Sequence, residues 1–130
     1  ARLLGLSIAD VEGDRFAAVA ALQRRFDGVT ALKGAGTLIK GPGHRPIGLC
    51  SDGNSGMASA GMGDTLTGII AALIAQGRRV GQDPEQAAST GVCLHAAAGD
   101  LAARVGQRGM LASDLIDALR VTLAQAGEGD

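Results

Sequence analysis

The residues best placed to do chemistry form a short run, Gly61-Met62-Gly63-Asp64, directly before a strongly apolar segment. Apolar residues from Leu66 to Ile74 recur at helical spacing, so the run is predicted to open a helix. Glycines at such a position leave the first backbone N–H groups open, and the helix end carries about half a positive elementary charge. We therefore predict an anion hole at Gly61, Met62 and Gly63 that holds phosphate oxygens or a developing negative charge.

Asp64 is the only ionisable residue between Asp52 and Arg78. A lone carboxylate beside an anion-binding helix end can orient or deprotonate a hydroxyl that attacks phosphate. A capping role, in which Asp64 only complements the helix dipole, explains the same position equally well on spacing alone.

Lys33 is the second candidate, because the chain has only one other lysine and Lys33 stands at the end of a predicted strand, before Gly34-Ala35-Gly36-Thr37. Ligands of open α/β sheets bind outside the carboxyl ends of strands, and glycines let a ligand approach the backbone closely. The plainer interpretation is a solvent-facing lysine at a turn.

Composition and charge exclude several classes of partner. The chain has 12 Lys and Arg residues against 13 Asp and Glu residues, and only Phe16 and Phe26 are aromatic. It therefore lacks the basic excess that binds nucleic acid or an anionic membrane, and the aromatic side chains that stack on bases. Its longest uncharged apolar stretch, Thr65–Gly77, is shorter than the roughly 20 residues of a membrane span. A small-molecule partner is expected.

The cysteine and histidine side chains form no recognisable site. Cys50 and Cys93 lie far apart and outside any C-x-x-C pattern, which favours a reducing compartment, the cytoplasm, and predicts no zinc site. His44 is predicted at the surface, and His95 and Cys93 in the core. The sequence has no P-loop, dinucleotide-binding or nucleophile-elbow pattern.

The elements that must position these residues follow from periodicity and turn signals. One helix, three short strands and three helices are predicted, in that order, with a loop over Ser51–Ala60. The first helix is predicted over Asp14–Phe26, and the strands over Val29–Leu32, which is expected to be buried, Thr37–Ile39 and Ile47–Cys50. Of the last three helices, one begins at Asp64 and is expected to be buried on all sides, one runs from Asp83 to the region of Arg104, and one is capped by Ser113.

Three segments together resemble the NAD(P)H-hydrate dehydratase family. They are Leu32-Lys33-Gly34-Ala35-Gly36-Thr37, Asn54-Ser55-Gly56-Met57-Ala58 and Gly61-Met62-Gly63-Asp64-Thr65-Leu66-Thr67-Gly68-Ile69. Ala87–Asp100 and Gly109–Ile116 are similar to the final helices of that family. The resemblance implies an α/β, ribokinase-like fold with a central sheet flanked by helices, of which residues 1–130 are the C-terminal portion.

The resemblance also implies a repair reaction. NADH or NADPH that has gained water at the nicotinamide ring is restored by phosphorylation of the ring hydroxyl and elimination of phosphate. ADP or ATP is the implied phosphoryl donor, and Mg²⁺ is expected with it. The implied partners are the hydrated dinucleotide and an adenine nucleotide, with a homo-oligomer and a fused or separate epimerase domain as further expectations.

Site residues carry over from the family to matching positions of this sequence. Asp64 is implied to be the catalytic base and to contact the substrate together with Asn54, while Gly61, Met62 and Gly63 form the anion hole. The implied nucleotide-binding residues are Lys33, Gly34, Ala35, Gly36, Thr37 and Gly63.

The sequence departs from the family pattern at one position, and two alternative functions stay open. Ser55 replaces the usual proline of the family, which frees φ and loosens the loop. A sugar or vitamin kinase of the same fold would use the same Gly-x-Gly-Asp anion hole. The other alternative is a non-catalytic nucleotide-binding fragment, because the family's upstream His-Pro-Gly-Glu stretch is missing here. On that ground the isolated chain is expected to be inactive.

Overall fold

Two helices open the chain in the computed structural model, which describes residues 1–127: α1 (Ile8–Gly13) and α2 (Arg15–Phe26). The bounds of α2 confirm the prediction, and Asp14 caps its start. Helix α1 was not predicted, although Ser7 and Asp10 form a capping box with the spacing typical of a helix start. The hydrogen bonds from Ser7 lower the pKa of the Asp10 carboxyl.

A small sheet follows, with strands β1 (Thr30–Leu32), β2 (Thr37–Lys40) and β3 (Gly48–Cys50) in the order β1-β2-β3. β1 and β2 are antiparallel, with Ala31 opposite Ile39. All three strands lie where they are predicted, but β1 is only half-buried. Residues 1–49 form one compact unit, in which α2 packs against β1 and β2 and buries Val19 and Leu38.

The second compact unit begins at Cys50 and contains α3 (Met62–Gly77), α4 (Pro84–Ala102) and α5 (Ala112–Gly127). α4 begins as predicted, because the Asp83 side chain accepts the first-turn N–H of Glu85 and a proline fits the first helical position. The core of this unit includes Met62, Met110 and Leu115.

Two helices begin two residues earlier in the chain than predicted. α3 begins at Met62 rather than Asp64, because the left-handed backbone of Gly61 ends the preceding loop. α5 begins at Ala112, so Ser113 lies inside the helix instead of capping it. The Leu111 amide donates to the Asp114 carboxylate at 2.8 Å, which supplies the capping contact at that end.

The prediction that α3 is buried on all sides is wrong for the described chain. Only Met62, Leu66 and Gly77 of this helix are buried. Its opposite face consists of small residues and is exposed: Gly68, Ala71, Ala72 and Ala75. Apolar composition indicates which face can be buried, but the neighbouring elements decide whether it is.

Some large apolar side chains of α2 and α5 are also exposed. Phe16 and Phe26 on α2 are each 53 % exposed, and Ile116 and Leu123 on α5 are similarly open to solvent. Within residues 1–127, no helix combines the length and hydropathy needed to cross a membrane.

Gly91 sets how closely α4 approaches α3, because a Cβ at this position would lie 2.8 Å from Cγ1 of Ile70. We expect Gly91→Ala to lower the free energy of unfolding by about 1–3 kcal/mol, since the two helices must move apart. Gly68→Ala is the matched control, because a Cβ there meets nothing within 4 Å. That control should gain about 0.5–1 kcal/mol. Urea unfolding measures both, and equal effects would contradict this account of the packing.

Candidate functional site

The amino-terminal end of α3 is open. Its N-cap is Gly61, whose φ of 84° lies in the left-handed region that glycine adopts freely, and the cap makes no side-chain hydrogen bond. The first i→i−4 bond joins the Thr65 amide to the Gly61 carbonyl oxygen at 2.9 Å. The amides of Met62, Gly63 and Asp64 therefore lack acceptors within the helix and point out of its positive end.

Asp64 lies in the first turn, beside these amides, and is exposed. It does not occupy the cap position, which belongs to Gly61. Gly63 is exposed too, and the space where its Cβ would stand is empty of other atoms to 4 Å. An anion at the three amides would meet no side chain at Gly63 and would lie next to an exposed carboxylate.

His95 supports this turn from inside the unit. It is 3 % exposed, which confirms its predicted core position. Its Nε2 lies 2.9 Å from the carbonyl oxygen of Met62. A carbonyl oxygen only accepts, so Nε2 carries the hydrogen in this contact. The sequence indicates a buried histidine but gives no sign of its partner, 33 residues away in the chain.

Asn54 lies in the loop before α3 and is held on three sides. Its amide nitrogen donates to the Gly99 carbonyl oxygen at 3.0 Å and to the Asp100 carboxylate at 2.9 Å. Its amide oxygen accepts from the Gly56 backbone at 3.0 Å. The Gly53 amide donates to the second Asp100 oxygen at 3.0 Å. These bonds hold the loop at the carboxyl end of α4. This role of Asp100 was not predicted from the sequence.

The rest of this loop contacts α4 and the segment that follows it. Ser55 opens a short 3₁₀ turn, Ser55–Met57, and its hydroxyl donates to the side-chain oxygen of Gln107 at 2.9 Å. The Met57 side chain lies directly over Gly99, where any Cβ would collide with its sulfur. The serine that frees φ therefore also gains a hydrogen bond that proline could not make.

The predicted nucleotide segment, Lys33–Thr37, lies in the first unit, in the turn between β1 and β2. Arg15 of α2 holds this turn: its Nη1 donates to the Ala35 carbonyl oxygen at 2.6 Å and its Nη2 to the Leu32 carbonyl oxygen at 3.3 Å. A Cβ on Gly34 would lie 2.5 Å from Arg15 Nη2, so glycine lets the guanidinium lie on the backbone. No role for Arg15 was predicted, because its two partners lie 20 and 17 residues away in the chain.

Lys33 itself is exposed at the carboxyl end of β1. The surrounding chain removes part of the hydration of its ammonium group, which lowers the pKa of Lys33. A cation that is already partly dehydrated loses less water when it binds an anion. Gly36, with a φ of 73°, turns the chain into β2. Thr37 is the first residue of β2.

The two thiols are free, and only one is buried. The prediction that Cys93 lies in the core is wrong, because it falls on the exposed face of α4 that also carries Ala97 and Asp100. Cys50 is the buried one, and burial raises the pKa of its thiol. Over the described part of the chain, no three His, Cys, Asp or Glu side chains cluster in a way that could hold a metal ion.

Comparisons with known proteins agree with the resemblance drawn from the sequence. The family model described as NAD(P)H-hydrate dehydratase matches residues 1–121. The chain is 53 % identical over 124 residues to a bifunctional NAD(P)H-hydrate repair enzyme of Vibrio cholerae, covering 95 % of this chain and 24 % of that protein. It is 41 % identical over 122 residues to an ADP-dependent (S)-NAD(P)H-hydrate dehydratase of Neisseria meningitidis, covering 92 % of this chain and 40 % of that protein.

A solved structure agrees with the fold class. Bacillus subtilis YxkO, a member of the UPF0031 family, superimposes with a TM-score of 0.80 at 27 % identity, over 93 % of this chain and 44 % of that one. The fold is α/β and ribokinase-like, with a small antiparallel sheet. The chain spans less than half the length of each of these proteins.

The carboxylate of Asp100 is predicted to hold the Asn54 loop in place. Asp100→Ala removes the acceptor of two hydrogen bonds, so it should lower the free energy of unfolding by about 1–3 kcal/mol. It should also speed hydrogen exchange at the Gly53 amide. Asp100→Asn keeps one acceptor oxygen, so its free energy of unfolding and its exchange rate at Gly53 should lie between those of the unmodified protein and Asp100→Ala.

The matched control is Asp117→Ala, which removes an exposed acid of α5. It should leave hydrogen exchange at Gly53 unchanged. Protection of Gly53 that survives Asp100→Ala would contradict the proposed anchoring.

Proposed function

The chain belongs to the NAD(P)H-hydrate dehydratase family, and from this premise we propose that it carries the phosphoryl-transfer site of an enzyme that dehydrates hydrated NADH and NADPH. The observation that carries the proposal is the open end of α3, where three backbone amides without helical acceptors lie beside the exposed carboxylate of Asp64. Phosphoryl transfer needs a positive, preorganised pocket for the transferred group and a base for the attacking hydroxyl.

We propose that residues 1–130 are the C-terminal portion of a single ribokinase-like domain. Their extent supports the first part of this proposal, since they span 24 % of the Vibrio cholerae relative and 40 % of the Neisseria meningitidis relative. The C-terminal placement rests on the resemblance of Ala87–Asp100 and Gly109–Ile116 to the final helices of the family. The complete domain is the unit of activity in this proposal, and the isolated 130-residue chain is inactive. The exposed small-residue face of α3 fits this proposal, since an apolar face of this kind is normally covered.

The proposed chemistry has two steps. Asp64 takes the proton of the ring hydroxyl while the hydroxyl oxygen attacks the terminal phosphorus of the nucleotide, and the P–O bond to the leaving nucleotide breaks. The amides of Met62, Gly63 and Asp64 stabilise the charge on the transferred group. The phosphate ester then leaves as phosphate, with its C–O bond breaking and a proton lost from the neighbouring ring carbon. The ring double bond is restored.

ADP or ATP is the proposed phosphoryl donor, with Lys33 and the backbone of Gly34–Thr37 as its contacts. The Lys33 ammonium supplies positive charge, and the Arg15 contacts hold the turn in one shape. Mg²⁺ is proposed to arrive with the nucleotide and to be held by phosphate oxygens and water, as this ion prefers. The described side chains contribute no metal cluster of their own. Asn54, whose amide is bonded within the loop, is proposed to act on the substrate side by shaping that loop.

We further propose a cytoplasmic, homo-oligomeric protein with a fused or partner epimerase activity. The two free cysteines support a reducing compartment. The second activity is supported by the bifunctional name of the Vibrio cholerae relative.

Asp64→Asn in the complete enzyme tests the base. The hydrated dinucleotide is incubated with ADP or ATP and the return of NADH absorbance is followed. We expect the rate to fall roughly 10²- to 10⁴-fold, because an amide cannot accept the proton. Asp117→Asn, on an exposed position of α5, is the control and should keep the full rate. An unchanged rate in Asp64→Asn would show that this carboxylate is not the base and only interacts favourably with the dipole of α3.

Lys33→Met tests the nucleotide contact by calorimetric titration with ADP and ATP. Loss of one charged hydrogen bond should weaken binding about tenfold or more. The other lysine provides a matched control, because the Lys40 ammonium is already bonded to the carbonyl oxygens of Gly41, Gly43 and Arg45. Lys40→Met should lower stability and leave nucleotide affinity unchanged. Equal losses of affinity in both variants would contradict a direct contact between Lys33 and the nucleotide.

A further inference from the structure

The buried imidazole of His95 contacts the backbone of the proposed anion hole. Its Nε2–H donates to the Met62 carbonyl oxygen at 2.9 Å, and the residue is 3 % exposed. The neighbouring positions of α4 on this face, Val92 and Ala96, are apolar. A polar ring among such neighbours costs free energy unless its hydrogen bonds are satisfied. The bond to Met62 therefore matters to the geometry of both partners.

The Met62 carbonyl and the Gly63 N–H belong to one planar peptide group and point in opposite directions. A bond that fixes the carbonyl therefore also fixes the direction of the Gly63 N–H. The bond adds to the restraint that α3 imposes on this peptide, whose second residue, Gly63, has the widest conformational freedom of any residue type. The Met62 side chain is also held, at 1 % exposure in the core cluster of the second unit.

We propose that His95 is a positioning residue, which aims the Gly63 amide at the phosphoryl group through the Met62–Gly63 peptide. The inference rests on the proposed function for the identity of the anion, but the restraint on the peptide stands on the geometry alone. His95 does not touch the substrate. Its effect is on the direction of one amide, and so on the transition state more than on the binding of either substrate.

The first test replaces His95 in the complete enzyme and separates kcat from KM. His95→Leu removes the donor while filling much of the space, and we expect kcat to fall roughly 10- to 100-fold with KM for nucleotide and hydrate little changed. His95→Gln should restore most of kcat, because its Nε2 stands the same number of bonds from Cα as that of histidine. Val92→Ala is the control for lost packing. Val92 is 3 % exposed on the same helix, so its truncation lowers stability without removing a donor.

Three results would overturn the proposal: full kcat in His95→Leu, no rescue by His95→Gln, or an equal fall of kcat in Val92→Ala. Each would assign His95 a packing role only.

The second test reads the peptide directly and needs no turnover. Met62-Gly63 is the only Met-Gly pair in this sequence, so labelling with ¹³C-carbonyl methionine and ¹⁵N-glycine gives one correlation from these 130 residues. We expect that NMR signal to shift in His95→Leu, to return towards its original position in His95→Gln, and to stay in place in Val92→Ala. An unmoved signal in His95→Leu would overturn the restraint. An enzyme inactive on the hydrate would instead refute the proposed function, and the NMR result would still decide the role of His95.

Discussion

Met62 contributes both to the core of the second unit and to the backbone of the candidate site. Its side chain is packed in the core with Ala98, Met110 and Leu115, and its carbonyl oxygen accepts a hydrogen bond from His95. Its own amide belongs to the open first turn of α3. A site made of backbone amides has no side chains to adjust, so its precision depends on how firmly the surrounding core holds the turn.

The same logic extends to two loops, one in each compact unit. The Asn54 loop is fastened to α4 by Asp100, and the Lys33–Thr37 turn is fastened to α2 by Arg15. In each case a charged side chain on a helix holds backbone groups of a glycine-containing loop. Glycine permits the close approach but leaves the loop with many conformations, and the charged anchor selects one of them.

Most helices and strands could be predicted from short sequence patterns. The helix α2 and the Asp83-Pro84 start of α4 were predicted correctly because each depends on residues that are close in sequence. The contacts that shape the site could not be found in this way, since His95 and Met62 lie 33 residues apart and Arg15 and Ala35 lie 20 apart. Burial was predicted least well: the small-residue face of α3 and Cys93 are exposed, because composition does not specify which elements cover a face.

The open end of α3 is proposed to serve phosphoryl transfer to the ring hydroxyl, and oxygen labelling distinguishes this route from direct loss of water. The hydrated dinucleotide is prepared with ¹⁸O in its ring hydroxyl and treated with the complete enzyme and nucleotide, and the inorganic phosphate formed is analysed by mass spectrometry. Phosphorylation of the hydroxyl followed by C–O cleavage carries the label into phosphate. Label released as water, with none in the phosphate, would contradict the account.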